Sequence, residues 1–154
     1  VRNGVTNGVA DDVFAPDSSC TRAQAVTFLW RAVGAPVTGG DCVFTDVDSS
    51  DYFYDAVVWA VENGITNGIG NSLFAPDEVC TRAQIVTFLY RMAGSPETEG
   101  TVFGDVATDS YYASAVSWAV SGGVTNGVGN GLFAPDNICT RAQIVTFLYR
   151  YAGI

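Results

Sequence analysis

The stretch Cys80-Thr81-Arg82-Ala83-Gln84-Ile85-Val86-Thr87-Phe88-Leu89-Tyr90-Arg91 occurs three times with little change, from Cys20 to Arg31, from Cys80 to Arg91 and from Cys139 to Arg150. Thr81 follows Thr21 by 60 residues and Thr140 follows Thr81 by 59. Such a period constrains the fold strongly, because a repeat of this size cannot bury its apolar face alone and must stack against its neighbours.

The opening of the stretch reads as a helix start. Thr81 with Gln84 three residues later forms a capping box, in which each side chain satisfies the other's backbone amide. A helix is therefore expected from Arg82. Cys80 and Ile85 stand where a hydrophobic staple fixes the entry of the chain. Ile85, Val86, Leu89 and Met92, with Ala93, give one apolar face, and Gly94 followed by Pro96 ends the helix. By the same rules the first such helix runs from about Arg22 to Val33.

One residue breaks the local grammar. Arg82, like Arg22 and Arg141, places a cation in the first helical turn, where the positive end of the helix dipole disfavours it by up to ~1 kcal/mol. Two readings stand side by side: the arginine pairs with one of the aspartates, or it joins free helix amides in an anion site. Arg31, Arg91 and Arg150, at the helix ends, suit the dipole and read as structural caps of the last carbonyls.

Ahead of each capped helix stands a second repeated text: Gly4-Val5-Thr6-Asn7-Gly8 with Phe14-Ala15-Pro16, Gly64-Ile65-Thr66-Asn67-Gly68 with Phe74-Ala75-Pro76, and Gly123-Val124-Thr125-Asn126-Gly127 with Phe133-Ala134-Pro135. Asn-Gly tolerates positive φ, so a tight turn is expected, flanked by short extended pieces at most. Copies two and three are led by a further helix: Tyr52, Ala56, Val57, Trp59, Ala60 and Val61 recur at helical spacing, as do Tyr111, Ala115, Val116, Trp118, Ala119 and Val120. Trp59 and Trp118 read as core. The first copy opens at the turn, and the apolar face left without that leading helix is expected to be covered by an upstream segment or by another protein chain. The repeats are taken as 1–34, 43–94 and 102–154.

Charge and residue content narrow the function. Net charge is -9, from 16 acidic and 7 basic residues, which argues against nucleic acid and anionic membrane surfaces as partners. No apolar run reaches the ~20 residues that span a bilayer, so membrane insertion is not expected. Histidine is absent, which removes the usual general base and the commonest metal ligand; neither catalysis nor a cofactor is expected. Asp46, Asp48 and Asp51 lack the glycine and terminal glutamate of a calcium loop and read as solvated helix-start acids. Cys20, Cys80 and Cys139, as equivalent positions, are expected to lie far apart, leaving at most one disulfide, from Cys42 to Cys80 or Cys20. No cysteine spacing suits zinc. No signal peptide and no initiating Met are present, so the ends do not indicate a compartment.

In order, Phe44-Thr45-Asp46-Val47, Gly64-Ile65, Gly68, Phe74-Ala75-Pro76, Thr81-Arg82-Ala83-Gln84 and Arg91 resemble the S-layer homology domain, a module of roughly sixty residues that bacterial surface proteins carry in threes. The resemblance covers essentially the whole chain. It implies a mainly α fold with pseudo-threefold symmetry, each repeat built as helix, Asn-Gly turn, loop and capped helix around a central helical bundle. It also implies non-catalytic anchoring at the bacterial cell surface, by binding secondary cell-wall polysaccharide, often pyruvylated, in grooves between repeats. By the same resemblance Arg22, Arg82 and Arg141 are principal ligand contacts. Asp46, Asp105, Tyr52 and Tyr111, together with Gln84 and Gln143, complete the expected ligand-binding set. This chain departs from the family pattern in carrying glutamine for the motif glutamate and tyrosine for the usual tryptophan. The competing expectation is a structural or assembly module that contacts other proteins.

Overall fold

Each capping box does open a helix. The computed structural model describes residues 4–9, 13–100 and 103–153, and its helices are α1 (Arg22–Ala32), α2 (Tyr54–Glu62), α3 (Arg82–Met92), α4 (Ala113–Ser121) and α5 (Arg141–Ala152). In α3, Thr81 Oγ1 accepts from the Gln84 N–H at 3.3 Å and Gln84 Oε1 accepts from the Thr81 N–H at 3.0 Å. α1 and α5 repeat the arrangement. The fold is mainly α: among the described residues, extended pairing is confined to isolated bridges.

The capped helices α1, α3 and α5 meet one another at the centre, while α2 packs on α1 and α4 packs on α3. Their apolar faces form the core, with Val26, Leu29, Ile85, Val86, Leu89 and Ile144 fully buried. Trp59 joins that core as expected. Trp118 is only half-buried, between Tyr90 and Tyr151 at ring separations of 5.9 and 5.8 Å.

The cysteines overturn the expectation of distance. Cys20 N–H donates to the Cys139 carbonyl at 3.0 Å, Cys80 N–H to Cys20 at 2.8 Å, and Cys139 N–H to Cys80 at 2.8 Å. Three backbone bonds thus close a ring about the pseudo-threefold axis. All three side chains are fully buried, and all four cysteines are free thiols, so neither expected Cys42 disulfide forms. Equivalent residues of a closed array converge when they sit at its axis; repeat spacing alone carries no information about radius.

Above this ring each repeat is laced to the next. Arg22 and Ala23 N–H donate to Glu78 and Pro76, Arg82 and Ala83 to Asn137 and Pro135, and Arg141 and Ala142 to Ser18 and Pro16, all at 2.8 to 3.0 Å. The first two amides of every capped helix are therefore spent on the neighbouring Phe-Ala-Pro loop. The free helix amides expected beside the arginines are absent, because burial against another repeat demands that those donors be satisfied.

Two local expectations shift. α2 and α4 begin two residues beyond Tyr52 and Tyr111, at Tyr54 and Ala113, with no side-chain cap. Asp48 and Asp51 instead close a turn, Asp51 accepting from the Asp48 N–H at 2.8 Å and Asp48 accepting from Ser50. In the turn that follows α2, Thr66 Oγ1 accepts from the Gly68 N–H at 3.1 Å and Gly68 takes φ +76°. A Cβ on Gly68 would collide with the Leu73 carbonyl and the Phe44 ring, so glycine is required there for both conformation and space.

Candidate functional site

The lacing leaves a groove at each junction between repeats, and each groove is assembled by one rule. Its floor is a stripe at helical spacing on a capped helix: Gln24, Thr27, Phe28 and Arg31 on α1, Gln84, Thr87, Phe88 and Arg91 on α3, or Gln143, Thr146, Phe147 and Arg150 on α5. The Asn-Gly turn of the same repeat forms one wall. The preceding repeat supplies a buried arginine: Arg141 to the α1 groove, Arg22 to the α3 groove and Arg82 to the α5 groove. Tyr52 and Tyr111, from the repeat that follows, line the α1 and α3 grooves. The cavities hold about 390, 330 and 260 Å³ in that order.

The buried arginines are 3% exposed, and among the described residues they are not locked in carboxylate pairs. Arg22 Nε donates to the Phe74 carbonyl, Arg82 Nε to Phe133 and Arg141 Nε to Phe14, at 2.8, 2.9 and 3.0 Å. Each guanidinium lies between two phenylalanine rings; for Arg82 these are Phe133 at 4.8 Å and Phe147 at 5.5 Å. Burial pushes the Arg22 and Arg82 pKa values below the usual arginine range, with nearby Cys80 and Glu78 opposing the shift at Arg22 and Cys139 and Asp105 at Arg82. Arginine keeps its charge under such a shift. The side chain is thus both a pin between repeats and a fixed cation at the back of the groove.

The other expected residues divide. Gln84 and Gln143 line grooves; because each Oε1 is tied to the capping-box amide, the side-chain NH2 is left as the available donor. Tyr52 and Tyr111 are 63% and 64% exposed, which suits a ligand platform. Burial raises both phenol pKa values, while Arg31 with Arg141 at Tyr52, and Arg91 with Arg22 at Tyr111, oppose the rise. Each tyrosine therefore senses both arginines of its groove. Asp46 and Asp105 lie outside the groove linings. Their two carboxylate oxygens accept from Phe74 and Ala75, and from Phe133 and Ala134, at 2.7 to 2.9 Å, holding the loop that presents the carbonyl to the buried arginine.

Arg31, Arg91 and Arg150, expected as caps of the last helix carbonyls, stand elsewhere. They line the grooves, and Arg91 and Arg150 reach the turn carbonyls of Ile65 and Val124 at 3.1 and 3.3 Å rather than the ends of their own helices. The signal was present in the sequence: Gln84, Thr87, Phe88 and Arg91 fall at i, i+3, i+4 and i+7, a polar stripe along one helix face.

A family model described as the S-layer homology domain matches residues 1–26, 43–86 and 102–145. The chain belongs to the S-layer homology family. It is 35% identical over 116 residues to the surface-layer 125 kDa protein of Lysinibacillus sphaericus, covering 75% of this chain and 9% of that protein. It is 31% identical over 160 residues to an endoglucanase of Bacillus sp. (strain KSM-635), covering 97% of this chain and 17% of the endoglucanase. A surface layer protein of Brevibacillus choshinensis is 31% identical over 102 residues, covering 63% of this chain and 9% of its own length. The chain therefore spans less than a fifth of these relatives. As an S-layer homology module it is a cell-surface anchoring unit, located outside the cell.

Proposed function

We propose that this S-layer homology module anchors its parent protein by binding an acidic secondary cell-wall polysaccharide in the grooves between repeats, pyruvylated sugar being the class of ligand expected. One observation carries the reading. A chain of net charge -9 gathers six of its seven basic residues into three grooves, and among the described residues none of those linings includes a carboxylate. Unpaired cations so placed favour an anion of complementary size. The guanidiniums and the glutamine NH2 bind an acid group, and the exposed tyrosine face covers the C–H surface of a sugar ring. Nothing in this binding requires a bond to be made or broken.

The test is co-sedimentation with purified cell wall, before and after mild acid removal of ketal-linked pyruvate. Replacing Arg31, Arg91 and Arg150 together by glutamine should lower retention at least tenfold, about the worth of one charge-assisted hydrogen bond, with the helical circular dichroism retained. Unchanged retention of the triple variant would remove the reading.

A second reading, assembly through protein contacts, is favoured by α5, which packs against α1 and α3 but against no outer helix among the described residues. Tyr149 on α5 is 60% exposed, where the equivalent Trp30 and Tyr90 are half-buried. Self-association that rises with concentration in wall-free buffer, seen by analytical ultracentrifugation, supports it; a monomer throughout does not.

A further inference from the structure

The three grooves share one plan but differ in two particulars. From these we infer that the groove of Arg22, Gln84, Arg91 and Tyr111 is the principal glycan site, the other two binding at least about tenfold more weakly. The inference rests on the proposed anchoring to acidic polysaccharide and adds which junction carries it.

The first particular is the state of the buried guanidinium. Nη2 of Arg22 and of Arg82 is buried with no hydrogen-bond partner. Nη2 of Arg141 donates to Thr6 Oγ1 at 3.3 Å. Thr66 and Thr125, the equivalents of Thr6, accept only from the Gly68 and Gly127 N–H groups at 3.1 and 3.2 Å. A buried donor without a partner is costly to leave unmet, so an incoming acid gains a charge-assisted bond at Arg22 or Arg82 without displacing anything. At Arg141 it must compete with the threonine hydroxyl.

The second particular is the aromatic wall. Tyr111 lines the Arg22 groove and Tyr52 the Arg141 groove, whereas no tyrosine lines the Arg82 groove. Its floor is correspondingly open: Thr146 is exposed where Thr27 and Thr87 are buried. A sugar bound there keeps one face in water and gains less from burial of its C–H surface. Among the described residues, only the Arg22 groove combines an unmet guanidinium nitrogen with a tyrosine face.

The experiment is isothermal titration of the chain with a methyl hexoside carrying a 4,6-linked pyruvate ketal, the neutral methyl hexoside serving as control. One tight site per chain is expected. Tyr111→Ala should weaken that site at least tenfold and Tyr52→Ala should leave it unchanged; both side chains are more than half exposed, so neither change disturbs the core. Three equal sites, or equal losses in the two variants, overturn the ranking and leave acidic-glycan binding standing. No binding beyond that of the neutral sugar overturns both.

Discussion

The Nε of Arg22 donates a 2.8 Å hydrogen bond to the carbonyl of Phe74, 52 positions away in the next repeat. The same residue stacks on the Phe74 and Phe88 rings at 5.0 and 5.6 Å. A residue that the family resemblance gives as a ligand contact is therefore part of the joint between repeats.

Removing such an arginine must cost stability. Arg82→Ala deletes a buried charge-assisted hydrogen bond and two cation–π contacts and leaves the Phe133 carbonyl unmet, a loss of about 3 kcal/mol. Urea denaturation measures it. A change below about 1 kcal/mol would show that the arginine does not pin the repeats.

The Asp105 carboxylate predicts an acid limit. Partial burial raises its pKa, but bonds from the Phe133 and Ala134 amides outweigh this and hold it below the ordinary value. A lowered folded-state pKa makes the contribution complete above the ordinary value near 4 and lost as pH falls through the folded value. Thermal stability followed from pH 6 down to pH 2 should drop in that window, and Asp105→Asn should flatten the drop. Parallel curves for the two proteins would refute the assignment.

The axial thiols should be inert. Burial, with the neighbouring Cys139, pushes the Cys20 thiol up to about 12; burial pushes Cys139 to about 12 and raises Cys80 further. Only thiolates react quickly with disulfide reagents. Titration with such a reagent at pH 8 should modify Cys42 alone in the native protein and all four cysteines after denaturation. Rapid native modification of more than one thiol would mean that the axis opens.

Gln84→Glu separates stability from binding. Glutamate keeps the capping box and suits the positive end of the helix dipole, so denaturation should show no loss or a gain of about 0.5 kcal/mol. In the groove, however, a donor becomes an anion facing the ligand's acid. Retention on cell wall should fall about tenfold, and unchanged retention would place Gln84 outside the contact.

Much of this was legible in one dimension. Thr81 and Gln84 announce a helix start because a capping box is closed by residues three apart, and the Gly68 turn and the apolar stripe of α3 are likewise set by near neighbours. Arg22, Arg82 and Arg141 stood out because a cation in a first turn contradicts local electrostatics, whatever the fold.

What the sequence determined by itself, then, is the repeat, its helices and turns, and the arginines set against their helix dipoles. The tertiary structure alone decided that Cys20, Cys80 and Cys139 join at an axis, that the helix amides are consumed by neighbouring loops, that Asp46 and Asp105 serve the loop, and that Arg31, Arg91 and Arg150 face the same cavities as the buried arginines. The physical reason is range. Capping and periodicity act within a turn or two of chain, whereas these partners lie tens of residues away and meet only when three repeats close on one another.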